Sequence, residues 1–121
     1  MTRLNVVDTN SPAPTVANGA QVTASSFVAG SHDTAGIVNF TTSAAPAAGV
    51  QVTVTFGTPI AGPVFVSLDA GNNNASGAAA VANANAQVTT DAQGRSTGFT
   101  VNTQAAPGAS TAYALNYSVL T

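Results

Sequence analysis

The chain contains no cysteine, no lysine, no glutamate and no tryptophan among its 121 residues. Without cysteine there are no disulfide staples and no thiolate metal sites, so stability must come from packing and from partner chains. The charged residues are Arg3, Arg95, Asp8, Asp33, Asp69 and Asp91, 5% of the chain, where globular proteins average about 25%. Two arginines at opposite ends cannot supply the basic stripe on which phosphate contacts depend, which argues against a nucleic-acid partner. No apolar run approaches the roughly 20 residues of a spanning helix, and "MTRLNVVDTNSPAP" lacks the apolar centre of a signal peptide. No membrane association is therefore expected, and the Asn-x-Ser/Thr sequons at Asn39, Asn74 and Asn116 are read as incidental.

What remains is a neutral chain of small residues. Hydrophobic residues make up 45%, but largely as Ala and Val; the aromatics are Phe27, Phe40, Phe56, Phe65, Phe99, Tyr113 and Tyr117. The length fits one domain burying roughly two thirds of its unfolded surface. A surface of Thr, Ser, Asn, Gln, Ala and Gly has little charge repulsion to oppose association, and assembly is the expected outcome.

Residues 1–21 read as an extended N-terminal arm. Pro12 and Pro14 favour extended backbone, Asn18-Gly19 offers a turn, and Leu4 to Val7, "LNVV", is a short β-prone piece able to add to a sheet edge in the same subunit or a neighbour. Residues 22–121 carry strand signals at intervals of about 12 to 17 residues. In "VQVTVTF" the alternation predicts Val50, Val52, Val54 and Phe56 on one face and Gln51, Thr53 and Thr55 on the other. Val64, Val66 and Leu68 share a face, as do Phe99 with Val101, and Tyr113 with Leu115, Tyr117 and Val119. "VTASSFV" and "GIVNF" are weaker strands, the latter with Val38 and Phe40 inward.

"AQVTTDAQGRSTGFTV" reads as a hairpin whose type I turn runs from Asp91 to Gly94, with Gly94 able to take positive φ. The Ala-rich segment from Asn74 to Ala86 lacks an apolar stripe and is read as a long loop with at most a helical turn. Seven or so antiparallel strands without helices predict an all-β fold, an antiparallel β-sandwich of jelly-roll or immunoglobulin-like layout with an extended N-terminal arm.

Candidate chemistry is sparse. Ser31, His32 and Asp33 are the residue types of a hydrolytic triad, but adjacent residues do not align a relay, and the segment reads as a loop leading into a strand; His32 is kept as a candidate pH-sensitive interface residue. Asp69 with Asn72, Asn73 and Asn74 offers oxygen ligands to calcium, without the spacing of an EF-hand loop. The four aspartates do not suggest a carboxylate pair across a cleft, and Thr53 with Thr55 is too short an array for ice binding. No catalytic, cofactor or metal residue is assigned, and the chain is expected not to be an enzyme.

A set of segments resembles a β-sandwich domain of tailed-phage virion proteins, namely capsid decoration and head proteins and fibre C-termini. They are Asp33 to Gly36 ("DTAG"), Ala45 to Gly49 ("APAAG"), Thr53 to Phe56 ("TVTF"), Thr97 to Val101 ("TGFTV") and the closing Tyr113 to Tyr117. The resemblance runs from about Gly30 to Leu120. It implies a virion structural component located on the capsid exterior and assembled in the host cytoplasm. The short chain and brief arm favour a decoration, or cement, protein that binds the major capsid protein and itself, as a homotrimer. Leu4, Val6, Val7, Pro12 and Pro14 are then the expected capsid or subunit contacts. The alternative is a tail-fibre or head-fibre module that binds a host receptor or glycan through loops around Asn72 to Asn74 and Gln104 to Ser110.

Overall fold

A computed structural model describes residues 12–70 and 77–121. They form two four-stranded antiparallel sheets packed face to face, an all-β sandwich. The elements in chain order are β1 (Thr15–Asn18), β2 (Val22–Phe27), β3 (Ala35–Thr42), β4 (Gly49–Ile60), β5 (Phe65–Asp69), α1 (Ala78–Ala82), β6 (Asn85–Thr90), β7 (Ser96–Thr103) and β8 (Ala112–Leu120). One sheet has the order β1-β4-β7-β6 and the other β2-β3-β8-β5. At the two sides of the sandwich β1 lies against β2, and β5 against β6.

Alternation accounts for most of the core. Along β8, Tyr113, Leu115, Tyr117 and Val119 are buried, and every residue between them is exposed. Val38 and Phe40 of β3 and Phe99 and Val101 of β7 are almost fully buried, as expected. Because the aliphatic side chains are small, the aromatic rings carry much of the contact between sheets. Tyr117 of one sheet meets Phe99 of the other at 5.5 Å between ring centroids. Phe27 extends this chain on one side at 6.1 Å and Phe56 on the other at 6.2 Å. Such pairs each add about 0.5–1.5 kcal/mol beyond the area they bury.

The expected alternation of β4 fails at its start. Val50 is 41% exposed, whereas Gln51 is fully buried. The cause is a bulge: Val50 pairs with Asn102 and Val52 with Val101, leaving Gln51 as an extra residue that turns inward. Its Nε2 donates to the carbonyls of Ala47 and Gly49 and to Thr103 Oγ1 at 3.0–3.3 Å. A second irregularity separates the pairs Thr55 with Gly98 and Ile60 with Ser96.

Other expectations hold. Gly94 has φ 77° and its N–H closes the turn onto the Asp91 carbonyl. The Ala-rich segment supplies only the five-residue α1, whose Val81 is buried in the core. Residues 12–21, on the arm side of the expected boundary, contain β1, which pairs with β4 from Thr15 opposite Thr55 to Asn18 opposite Val52.

Candidate functional site

The Ser31, His32 and Asp33 segment connects β2 to β3, and its three side chains have different partners. Ser31 Oγ donates to the Val28 carbonyl at 2.7 Å and accepts the Ile37 N–H at 3.1 Å, bracing the loop. His32 Nδ1 lies 3.2 Å from Thr34 Oγ1, and the His32 carbonyl accepts the Tyr117 hydroxyl at 2.6 Å. Burial pushes the pKa of that hydroxyl well above its ordinary value, and the negative charge of Asp33 raises it further, so it stays a donor.

Asp33 faces the opposite sheet. Its Oδ1 accepts the N–H of Gly57 at 2.7 Å and its Oδ2 that of Thr58 at 3.1 Å. Both donors lie in the irregular part of β4 between Thr55 and Ile60, where the ladder to β7 is interrupted. The carboxylate therefore replaces strand partners for two N–H groups, and hydrogen bonds to a charged group are each worth about 1.5–3 kcal/mol. Ser31 and His32 thus brace the β2–β3 loop within one sheet, and Asp33 alone of the three clamps that loop to the other sheet.

Gly57 also receives the start of the described chain. A Cβ at this position would overlap the Pro12 carbonyl, so only glycine lets the arm cross there. Pro14 is buried and Pro12 exposed; at these two positions the arm packs on its own sandwich. Leu4, Val6 and Val7 lie outside the described residues, as do Asn72, Asn73 and Asn74 of the calcium reading. Among the described residues, no three of His, Cys, Asp and Glu gather as a metal group.

The loop between β7 and β8 is held down. Thr42 Oγ1 donates to the Gly108 and Thr111 carbonyls and accepts the Thr111 N–H, while Tyr113 Oη accepts the Gly108 N–H at 2.7 Å. Both tyrosines therefore direct their rings into the core and their hydroxyls onto backbone, leaving neither as an exposed platform for a sugar ring.

Two features of the outer surface of the β2-β3-β8-β5 sheet were not evident from the sequence. One is a shallow cleft of about 590 Å³ over β2, β3 and β8, lined by small side chains that include Ala24, Ser26, Asn39, Thr41 and Ala114. The other is an apolar pair on β5 and β8: Phe65, 72% exposed, stands directly opposite Leu120, 55% exposed. Phe27, Phe40, Phe56 and Phe99 all pack in or against the core, so Phe65 is the phenylalanine turned outward. The available signal was its place between Val64 and Val66, which alternation turns inward.

The remaining charged residues of the described segments are Asp69, Asp91 and Arg95. Arg95 Nε donates to Asp91 Oδ2 at 2.8 Å within the β6–β7 turn. Apart from Asp69 at the end of β5 and the Phe65–Leu120 pair, the wide sheet faces present amides, hydroxyls and small aliphatic groups. Comparisons with protein families, curated proteins and solved structures find no match to this chain.

Proposed function

We propose that this chain is a structural protein of a phage virion, a decoration protein that binds the outer surface of the head and stabilises it. The observation that carries this reading is the neutrality of the folded surface. Asp33 is engaged by backbone N–H groups and Asp91 and Arg95 by each other, so that among the described residues Asp69, at the end of β5, is the one charge on a broad sheet face. Such faces can be laid against protein without the desolvation of charge that makes most surfaces resist burial.

The mechanism is mechanical. A trimer of sandwiches sits between capsomers, and its arm, through Leu4, Val6 and Val7, reaches a neighbouring subunit or the major capsid protein. A protein that binds the assembled shell in preference to its separated subunits stabilises the shell by mass action. The embedded position of Tyr113 and Tyr117 and the tethered Gly108 loop favour this reading over a glycan-binding fibre module.

The test is a particle experiment. Virions from the source are examined for copy number and location, and a variant starting at Pro12, which retains β1, is compared with the full chain for occupancy. Hundreds of copies spread over the head, with occupancy lost on truncation, are expected. A handful of copies at the tail tip would establish the fibre reading instead, and full occupancy without the arm would remove the arm from the mechanism.

A further inference from the structure

We propose that Asn18-Gly19, where β1 ends, is a self-modification site gated by that strand: once β1 leaves β4, the Gly19 nitrogen closes on the Asn18 side chain, and the isoaspartate formed keeps β1 from pairing again. Neither the site nor its test depends on a virion.

Asn18 is the chain's only asparagine followed by glycine. Asparagine is a thermolabile side chain, because its amide can be displaced by the next backbone nitrogen. A following glycine leaves that nitrogen without a side chain to shield it. Packing dictates the glycine. A Cβ at position 19 would lie 2.7 Å from the Gln51 carbonyl oxygen and 2.8 Å from that of Val50, too close for carbon against backbone oxygen. The approach of the chain to the bulge at Gln51 thus requires, at position 19, the residue that makes Asn18 reactive.

The folded chain blocks the reaction at both atoms. The Gly19 N–H donates to the Gln51 carbonyl at 2.8 Å, and Asn18 Oδ1 accepts the hydroxyl of Ser25 on β2. Asn18 is also extended, paired with Val52, and an extended backbone turns the next nitrogen away from the side-chain carbon it must attack. All three restraints lapse when β1 opens. Of its four residues three are exposed, and only Val16 packs against the core. β1 therefore belongs to the low-stability end of the fold, where local opening precedes global unfolding.

After opening, the Gly19 amide loses its proton to hydroxide and its nitrogen attacks Asn18 Cγ. The new Cγ–N bond replaces the bond to the side-chain amide nitrogen, which leaves as ammonia with a proton from water, regenerating hydroxide. A succinimide ring remains, and water opens it. Attack of water at Cγ gives aspartate; attack at the main-chain carbonyl carbon gives isoaspartate, whose main chain runs through Cβ and Cγ. No electrons are exchanged with any partner. Isoaspartate lengthens the main chain between the position aligned with Val52 and the N–H bonded to Gln51, so the alignment and the hydrogen bond cannot both be restored. A brief opening of β1 is thereby made permanent, and the chain from Pro12 that enters the sandwich along β1 is released with it.

The full-length chain is incubated at mildly alkaline pH, folded and in guanidinium chloride, and Asn18 is followed by peptide mass mapping that separates isoaspartate from aspartate. Conversion is expected in denaturant, and at least about tenfold more slowly in the folded chain, the factor set by an opening free energy of about 1.4 kcal/mol. Val16→Asp, with the β-type circular dichroism of the parent, should recover most of that factor. Asn18→Gln should stay unmodified, because its longer side chain closes the ring poorly. In the parent, the rate should also rise at guanidinium concentrations below the unfolding transition, which reads the same gate if the variant fails to fold. The purified isoaspartate form should keep the sandwich while its β1 amide protons exchange freely. Asn18→Asp, which adds the charge without the extra carbon, should keep them protected. Folded and unfolded chains converting at one rate would overturn the proposal, and so would a rate that rises only with global unfolding. An isoaspartate form whose β1 amides stay protected as in the parent would overturn it too.

Discussion

Gln51 shows how much can depend on a single polar side chain in a core of valines. Its amide nitrogen satisfies three oxygens around the first bulge of β4, while its Oε1 is buried without a partner. Replacing the amide by a carboxylate removes the donors and places a charge where there is nothing to neutralise it. Gln51→Glu is expected to lose about 3–5 kcal/mol at neutral pH. Because burial raises the folded-state pKa of the introduced acid, part of this loss should be recovered as pH falls and the carboxyl becomes neutral. Urea unfolding at neutral pH and at about pH 4, near the free glutamate value, measures both effects. A variant as stable as the parent at neutral pH would mean that this bulge is not sealed as the geometry indicates.

The same residue marks the limit of what alternation can convey. The strands whose faces are uninterrupted, β8 above all, are legible one residue at a time, and so are Val38, Phe40, Phe99 and Val101. Val50 and Gln51 are not, because a bulge changes which residue faces inward while leaving the apolar and polar order of the sequence unaltered. Asp33 was legible as a loop residue and illegible as a clamp. Its partners Gly57 and Thr58 are distant along the chain, and only the pairing of sheets brings them within reach.

At the scale of elements, the β6–β7 hairpin was readable because its turn chemistry is local. Asp91 Oδ1 accepts the N–H groups of Gln93 and Arg95, each at 2.9 Å, and Oδ2 accepts Arg95 Nε. Desolvation alone would raise its pKa, but the hydrogen bonds from Arg95 backbone and side chain and from Gln93, with the Arg95 charge, outweigh it and hold the carboxyl below its ordinary value of 3.8. A depressed carboxylate stabilises the folded state fully above the unfolded value and loses that contribution as pH falls through the folded value. The Gln93 and Arg95 amide resonances should therefore titrate together below about pH 4. Asp91→Asn should be less stable than the parent near neutrality and converge with it in acid. A parent and variant whose difference is unchanged by pH would show that the turn does not depend on the charge. β5 gave the opposite lesson: its inward face was evident, yet the exposed apolar pair of Phe65 and Leu120 depends on the pairing of β5 with β8, which no single segment contains.

For the whole molecule, the proposed association has a signature set by the distribution of charge. Long-range steering and repulsion need unpaired surface charge, and they fade as the screening length falls from about 10 Å at 0.1 M salt to about 3 Å at 1 M. Here Asp91 and Arg95 cancel within one turn and Asp33 is held by backbone N–H groups, while the exposed Phe65 and Leu120 offer apolar area. Self-association should accordingly be insensitive to sodium chloride, strengthen in sulfate, which is excluded from protein surface, and weaken on cooling, as burial of apolar area does. Sedimentation velocity on the full chain across that salt range, with sodium sulfate and at two temperatures, separates the alternatives. Dissociation by sodium chloride would point to ion pairs as the link between copies, and so to Arg3, Asp8 and the other aspartates. Retention of the oligomer in sodium chloride, with loss in Phe65→Ser, would place the association on the one phenylalanine that the sandwich does not enclose.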